Sequence, residues 1–317
     1  MIEPFDPTNA ADPLLSRIYE LLVGWRRSVA PDEPHDDHDT VVGALRHPPA
    51  SEPSWHWLAH DALRLDPAGY ASLRVRPGSS TGYVRLVVAP ECRRRGLGTG
   101  LLVAVRAQAA TCGCPTLTGI HGDDDATKAF AAAVGAVPGS RTVRSVLRLP
   151  PAVPPSPVDG FALRSWIGPT PDDLLSSFAR VRDALNDAPR DDGVDRERWT
   201  PARLRDLERA AGEQGDQARV TAVLDTAAEV VAFTEMRVAP QLGTVARTTD
   251  TAVDSAHRRR GLAVWVKAES LRLLVHDRPD IKLVTTSNSA GNAAILAVNR
   301  RLGFRPVATW ASAVLPL

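Results

Sequence analysis

Cysteine is scarce in this chain of 317 residues, and long apolar runs are absent. The chain has only three cysteines, Cys92, Cys112 and Cys114. This small, odd number argues against a disulfide framework and indicates a reducing compartment. The chain has no run of about 18 apolar residues, the length that a transmembrane helix requires. The first residues are acidic and interrupted by proline, unlike a signal peptide. We therefore expect a cytoplasmic protein with no membrane association.

An excess of either charge is also lacking, since the formal net charge is +1. Three lysines stand against 35 arginines, and the chain holds 26 prolines, a bias typical of a GC-rich genome. Arginine clusters alone are therefore weak evidence, and nothing favours a nucleic-acid partner. Cys112-Gly113-Cys114 lacks a second ligand pair, and residues 35–39 form a polar segment flanked by proline, so we expect no metal.

Apolar residues make up 44% of the chain, enough for two cores. The proline-rich stretch Pro150–Pro157 cannot form a helix or a central strand, and we interpret it as an extended linker. The sequence thus predicts two domains, residues 1–152 and 159–317, joined by residues 153–158.

The two halves resemble each other. Arg93-Arg94-Arg95-Gly96-Leu97 recurs 165 residues later as Arg258-Arg259-Arg260-Gly261-Leu262. Each copy follows a β-prone run and precedes apolar residues at helical spacing, after which a strand, a helix and a last strand follow. We expect Val143–Leu149 and Val307–Leu315 to close their own halves. The predicted fold is α/β, with two tandem units that each have a mixed sheet flanked by helices and a central parallel strand pair.

The glycine turn between strand and helix is suited to phosphate. Free N–H groups at the helix start point toward a ligand, and glycine allows close approach of the backbone. Such turns also occur as plain connections, so one copy alone is weak evidence.

Longer stretches around the two turns resemble the acetyl-coenzyme A (acetyl-CoA) pyrophosphate loop of the GNAT N-acetyltransferase superfamily. These are Val88–Gly98 and Val253–Ala263, and Asn292–Phe304 resembles a later helix of that family, which ends in Leu-Gly-Phe. The resemblance is clearest over Gly69–Leu149 and Val230–Leu315. The tandem is similar to two-domain actinobacterial acetyltransferases, whose C-terminal domain is catalytic.

The resemblance implies that acetyl-CoA lies between two splayed parallel strands. In the second domain it would contact Thr251, Ala252, Val253, Arg258, Arg259, Arg260, Gly261, Leu262, Ala263, Val264, Asn288 and Asn292. The first domain, which we expect to be a non-catalytic scaffold, would use Val88, Arg93, Arg94, Arg95, Gly96, Leu97, Gly98 and Thr99. At least one of Asn288 and Asn292 is expected to cap a helix.

Acidic residues distinguish the halves. Glu235 aligns with Ser72, and Asp250 aligns with Arg85. Acetyl transfer to an amine needs a base, and two neighbouring carboxylates raise one pKa. Glu235 is the first candidate for this base and Asp250 the second. Alternatively, both carboxylates face outward, solvated or paired with arginine.

The tyrosine that GNAT enzymes often use to protonate the departing thiolate is replaced by Asn299, and by Ala131 in the first half. An amide donates hydrogen bonds but no proton at a useful pKa, so Asn299 either contacts the thiolate or packs. Asn186 and Asp187, followed by Asp191-Asp192, are candidates for binding the acceptor amine, or else form an acidic surface loop. Trp199 lines the pocket or packs in the core.

The sequence thus predicts an acetyl-CoA-dependent N-acetyltransferase that acts on a small-molecule primary amine by direct attack in a ternary complex, as a monomer or homodimer. The alternatives are a non-catalytic acyl-CoA sensor, or an enzyme that uses another acyl-CoA or a protein lysine. The sensor reading rests on the missing tyrosine, whereas the acids in only one half argue against it.

Overall fold

A computed structural model describes residues 1–35, 37–48, 53–75, 79–187, 198–213, 217–238 and 243–317, with only the backbone of residues 40 and 210–213. Contacts divide the chain into two compact units. Unit 1 comprises Met1–Arg141 and Ala308–Leu317, and unit 2 comprises Thr142–Val307. Among the described residues, no helix is long and apolar enough to span a membrane.

Unit 1 alternates strands and helices. Its strands are β1 (Ile2–Phe5), β2 (Ser54–Ala59), β3 (Gly69–Val75), β4 (Thr81–Val88) and β5 (Thr116–Gly122). Its helices are α1 (Asp12–Val29), α2 (His38–Arg46), α3 (Leu97–Thr111) and α4 (Asp125–Ala133).

Unit 2 repeats this pattern after β6 (Val137–Arg148), which begins in unit 1 and continues into unit 2. Its other strands are β7 (Ala162–Ile167), β8 (Gln217–Leu224), β9 (Val230–Val238), β10 (Val245–Val253) and β11 (Leu283–Ser289). Its helices are α5 (Leu175–Arg182), α6 (Pro201–Glu213), α7 (Leu262–Asp277) and α8 (Ala293–Arg301). The last strand, β12 (Arg305–Pro316), returns the chain to unit 1.

Each unit has a mixed sheet with one parallel pair at its centre, as predicted. The strand order is β1-β2-β3-β4-β5-β12 in unit 1 and β7-β8-β9-β10-β11-β6 in unit 2. In unit 1, β4 and β5 pair only over Thr81–Tyr83. In unit 2, β10 and β11 pair only over Val245–Thr248. Because all four strands continue beyond these pairs, each parallel pair leaves a gap at its carboxyl end.

The last strands differ from the prediction. Thr142–Arg148 of β6 pairs antiparallel with β11 of unit 2, and Trp310–Pro316 of β12 pairs antiparallel with β5 of unit 1. Each half therefore contributes its last strand to the other unit. Both strands are similar in length and pattern, and edge pairing uses backbone groups, so periodicity cannot decide which sheet a strand joins. The contact boundary accordingly lies at Arg141/Thr142 and not in residues 153–158.

The core of unit 2 lies on both faces of its sheet. On one face, α5 and α6 pack through residues such as Phe178 and Leu204 against Phe233 of β9. On the other face, α7 and the end of α8 pack through Leu271 and Leu302 against Met236, Ala246 and Val284. Any group in the gap between β10 and β11 is therefore accessible to side chains from two sides.

Candidate functional site

The two arginine-glycine turns have the same backbone conformation. Gly96 and Gly261 precede α3 and α7 in the left-handed region, with φ of 82° and 84°. Arg94 and Arg259 also have positive φ, 62° and 64°. Such values favour glycine, and alternation of this kind points successive N–H groups into one concavity. Neither helix start is capped by a side chain, so its N–H groups remain available to an anion.

One arginine stabilises each turn from within. The Nε atom of Arg93 donates to the carbonyl oxygen of Val88 at 3.2 Å, and Arg258 donates to Val253 at the same distance. In unit 2, Arg258 also forms an ion pair with Asp187. The turns thus fit the pyrophosphate of a coenzyme A ligand, and the chain supplies both the N–H groups and the positive charge.

In unit 1 the gap between β4 and β5 opens into a cavity of about 520 Å³. It runs from the turn to α4 and is mainly apolar. Its lining includes Val88, Arg93, Arg94, Gly96, Leu97, Gly98, Thr99, Leu102, Ile120, His121, Phe130, Ala131, Ala136 and Leu315. The predicted contact residues of the first half, apart from Arg95, lie in this lining, whereas Arg95 pairs with Asp61 at 2.6 Å.

Glu235 and Asp250 lie directly opposite each other on β9 and β10. Ser72 and Arg85 occupy the same register pair in unit 1. In unit 2 a bulge between Thr248 and Asp250 takes Thr249 out of the strand register, as is common next to active sites, and its hydroxyl lies 3.4 Å from Glu235 Oε1.

A buried arginine joins the two carboxylates. Arg182, at the end of α5, places one nitrogen 2.7 Å from Glu235 Oε2 and another 2.7 Å from Asp250 Oδ2. Arg237 pairs with Glu235 Oε1 at 2.8 Å. The Arg182 guanidinium lies 4.0 Å from the ring centroid of Trp199, which favours the cation.

These contacts separate the pKa values of the two acids. Burial would raise the pKa of Glu235, but Arg182 and Arg237 outweigh it and hold that pKa below its ordinary value. Burial raises the pKa of Asp250 above its usual range, with a further contribution from the Glu235 charge that Arg182 only partly offsets. The Asp250 side chain is 31% exposed, against 6% for Glu235, so Asp250 is the more exposed of the two carboxylates.

A second cavity, of about 390 Å³, lies in unit 2 beside this cluster. Aromatic and charged side chains line it, among them Phe178, Arg182, Trp199, Arg205, Glu208, Glu235 and Arg237. Its volume is that of a small-molecule site.

On the other side of the gap, α8 presents a buried amide. Asn299 Nδ2 donates to Asn288 Oδ1 at 2.7 Å, whereas the buried Oδ1 of Asn299 has no partner. Asn292 caps α8 by accepting from the N–H of Ile295 at 3.3 Å. Lys267 of α7 is also buried there, with Nζ 5.1 Å from the ring centroid of Phe304.

Comparison with known proteins identifies the chain. A family model described as "Acetyltransferase (GNAT) family" matches residues 15–136. A mycothiol acetyltransferase of Nocardia farcinica is 32% identical over 261 residues, which cover 79% of each chain. Another, of Salinispora arenicola, is 31% identical and covers 89% of this chain and 86% of the relative. The chain belongs to the GNAT acetyltransferase family.

Solved structures show the same fold for this GNAT acetyltransferase. A tandem GNAT protein from the clavulanic acid biosynthesis pathway has a TM-score of 0.75 and 24% identity, covering 100% of this chain and 98% of the other. A GCN5-related N-acetyltransferase of Sphaerobacter thermophilus has a TM-score of 0.74 and 18% identity, covering 99% and 94%. The predicted tandem α/β fold and N-acetyltransferase class are thus confirmed.

The structure of this GNAT acetyltransferase brings most of the predicted site residues of unit 2 together. The turn residues Arg258–Val264 form the start of α7, and Thr251–Val253 end β10 at the gap. Asn292 is a helix cap, one of its two expected roles. Asp187, predicted to bind the acceptor amine, forms an ion pair with Arg258. Asn186 lies in the same 3₁₀ turn, Asp183–Asp187. Asp191 and Asp192 are outside the described residues.

Several histidine and tryptophan side chains have structural partners. His257 Nδ1 lies 2.8 Å from Asp254, and His38 contacts Ser16 and Asp39. Trp57 is in the core of unit 1. Three functional candidates were not anticipated: Arg182, Arg237 and Lys267. For Lys267, the sequence did offer one signal: a charged residue at a core position of an apolar helix, in Trp265-Val266-Lys267-Ala268.

Proposed function

We propose that unit 2 transfers the acetyl group of acetyl-CoA to the primary amine of a small molecule, by direct attack in a ternary complex. The observation that carries this proposal is the Glu235–Arg182–Asp250 cluster beside the open end of the β10–β11 pair. Unit 1 has Ser72 and Arg85 in the equivalent register pair, so it lacks both carboxylates and serves as a scaffold with a cofactor-type cavity.

Asp250 is the base in this proposal, and Glu235 positions it. A base must be free to take a proton, and the raised pKa of Asp250 makes it a stronger base than an ordinary aspartate. Arg182 holds Asp250 Oδ2, which leaves Oδ1 to accept the proton of the amine. Two arginines hold Glu235 and lower its pKa, so Glu235 stays ionised. Its negative charge balances the charge of Arg182 and orients the Arg182 side chain. This proposal reverses the sequence-based ranking, in which Glu235 was the first candidate for the base and Asp250 the second.

Acetyl-CoA supplies an activated acetyl thioester when bound. The N–H groups at the start of α7 and the Arg258–Arg260 side chains would hold its pyrophosphate, as the uncapped helix and the left-handed Gly261 allow. The unpartnered Oδ1 of Asn299 offers an acceptor inside the gap.

The acceptor class follows from the second cavity and from the relatives. The cavity of about 390 Å³ reaches Arg182 and Glu235 and fits a small molecule better than a peptide strand. The relatives are described as mycothiol acetyltransferases, so the amine accepted by a mycothiol acetyltransferase is the first compound to test.

Two glutamate substitutions test the assignment of the units. Gly96→Glu and Gly261→Glu place a negative side chain at each turn, where phosphate repulsion should abolish binding. Both positions have open space for a Cβ, so the shared effect on folding is backbone strain alone. Calorimetric titration with acetyl-CoA and release of free thiol with a panel of amines are measured for each.

Gly113→Glu and Gly160→Glu are matched controls, since both glycines have positive φ and open space but lie outside the turns. We expect only Gly261→Glu to abolish turnover. Loss of turnover in Gly96→Glu alone would assign the chemistry to unit 1 and remove the role of Asp250. Turnover with a protein lysine but with no small amine would overturn the acceptor class.

A further inference from the structure

Lys267 is a buried cation without a counterion. Lys267 is 2% exposed, and its Nζ atom lies 5.1 Å from the ring centroid of Phe304. Among the described residues, no carboxylate pairs with it and no group accepts a hydrogen bond from it. Since a buried charge without a partner destabilises a fold, a structural role does not account for a lysine here.

The repeat places Lys267 in the cofactor gap of unit 2. The aligned turns equate Lys267 with Leu102, and the parallel strand registers equate Asn288 with His121. The helix caps Asn292 and Asp124 equate Asn299 with Ala131 and Phe304 with Ala136. All four unit 1 equivalents line the cavity between β4, β5, α3 and α4. By this equivalence, the corresponding compartment of unit 2 would be lined by Lys267, Asn288, Asn299 and Phe304.

A second observation marks this compartment as a ligand site. Asn299 is 2% exposed, and its Oδ1 atom has no hydrogen-bond partner. Buried polar atoms are rarely left unpaired, so this oxygen is suited to accept a hydrogen bond from a ligand. Two polar residues of unit 2, Lys267 and Asn299, thus stand where unit 1 has the apolar cavity residues Leu102 and Ala131.

A proton donor near the sulfur would assist the departure of the thiolate. All three tyrosines, Tyr19, Tyr70 and Tyr83, lie in unit 1, and an amide such as Asn299 is no acid. We propose that Lys267 donates a proton to the sulfur of coenzyme A as the acetyl group leaves. This inference rests on the proposed function, because it requires that unit 2 transfers the acetyl group.

The step balances as follows. The bond between the amine nitrogen and the acetyl carbon forms, and the bond between that carbon and sulfur breaks. Asp250 takes one proton from the amine on the α5 side, and Lys267 gives one to sulfur on the α7 side. Lys267 then regains a proton from solvent, and Asp250 releases one.

The protonation state of Lys267 suits this role. Burial lowers the pKa of Lys267 from 10.5 to about 7, so the ammonium loses its proton easily near neutral pH. A thiolate is a stronger base than the Lys267 amine, because the usual pKa of a cysteine thiol is about 8.5. Proton transfer from Lys267 to the thiolate is therefore favourable.

Charged groups on the elements packed against α7 are engaged elsewhere or exposed. On β8, Arg219 pairs with Asp277, and on β9, Glu235 and Arg237 pair with each other. On β10, Asp250 pairs with Arg182, whereas Arg247 of β10 and Arg300 and Arg301 of α8 are exposed. Burial alone therefore sets the pKa of Lys267.

The scarcity of lysine permits a direct test without turnover. Protein labelled with ¹³C at the lysine side chains gives signals from Lys128, Lys267 and Lys282 only, and the signal lost in Lys267→Met is assigned. We expect that signal to titrate near pH 7 and to shift on addition of coenzyme A, but much less with the analogue that lacks sulfur. Titration above pH 9, or equal shifts with both ligands, would overturn the proposal.

Kinetics of substituted proteins supply the second test. Lys267→Met should lower kcat about 100-fold or more while it retains acetyl-CoA affinity and raises the melting temperature, since it removes a buried charge. Lys267→Arg should not restore kcat, because arginine does not release its proton. Lys282→Met is the matched control, because the Lys282 ammonium binds the surface carbonyl of Pro279.

The outcomes separate this inference from the proposed function. If Gly261→Glu abolishes turnover but Lys267→Met retains kcat within about threefold, only the role of Lys267 fails. If Gly261→Glu retains turnover, the assignment of unit 2 fails first, and the role of Lys267 with it.

Discussion

Asp250 and Glu235 lie opposite each other in the sheet, yet their surroundings shift their pKa values in opposite directions. Asp250→Asn should lower kcat on the order of 10²–10⁴-fold with little change in acetyl-CoA affinity, because the amide cannot accept the proton. Since the base works deprotonated, the wild-type rate should fall as the pH drops through the raised pKa of Asp250. Steady-state rates against pH check this, and a fully active variant would exclude Asp250 as the base.

Glu235 should matter for stability as well as for rate. Glu235→Gln leaves the buried Arg182 with one carboxylate instead of two, which should cost about 2–3 kcal/mol of unfolding free energy. Urea unfolding measures this loss. Glu229→Gln is the control, because the Arg180–Glu229 pair is exposed and worth about 0–1 kcal/mol. Equal losses in both variants would contradict the buried-pair interpretation.

His56 should make unit 1 sensitive to acid. Burial lowers its pKa from 6.5 to about 4, so the folded state binds fewer protons than the unfolded state between these values. The stabilisation is present above pH 6.5 and is lost as the pH falls through about 4. His56→Gln should flatten the pH dependence of urea unfolding over this range.

At the scale of secondary-structure elements, equivalent caps hold α4 and α8. Asn292 accepts from Ile295 N, and Asp124 accepts from Thr127 N at 2.9 Å. Asn292→Ala should therefore cost about 1 kcal/mol, and Asn292→Asp should cost little. Thermal unfolding checks this, with acetyl-CoA titration alongside. A loss of affinity in both variants would indicate that Asn292 also contacts the ligand.

Elements were predicted well because their signals are local. Helical spacing of apolar residues and the two Arg-Arg-Arg-Gly-Leu turns placed α3, α7 and the strands before them. Glu235 and Asp250 were also predicted to lie on neighbouring strands, and the structure places them directly opposite each other. Arg182 and Lys267 were missed because their importance depends on burial and on elements far apart in sequence. The prediction that β6 and β12 each close their own half was wrong for the same reason.

At the scale of the whole molecule, unit 2 is one continuous segment, whereas unit 1 is made of two. Deletion of residues 308–317 removes the partner of β5, so unit 1 should lose stability while unit 2 keeps its sheet. Hydrogen exchange of peptides from β5 and β10 measures each unit. Deletion of Leu317 alone is the control, and equal loss of protection in both units would contradict the expectation.

The exchange of last strands also fixes an order of events on the ribosome. Domains usually fold from the N-terminus as they emerge. Here every strand of unit 2 has been synthesised once β11 appears, but unit 1 waits for Trp310–Pro316. The half of the chain made first is therefore the last to complete its sheet. Until β12 is synthesised, the edge of β5 lacks this partner and is exposed to association with other chains.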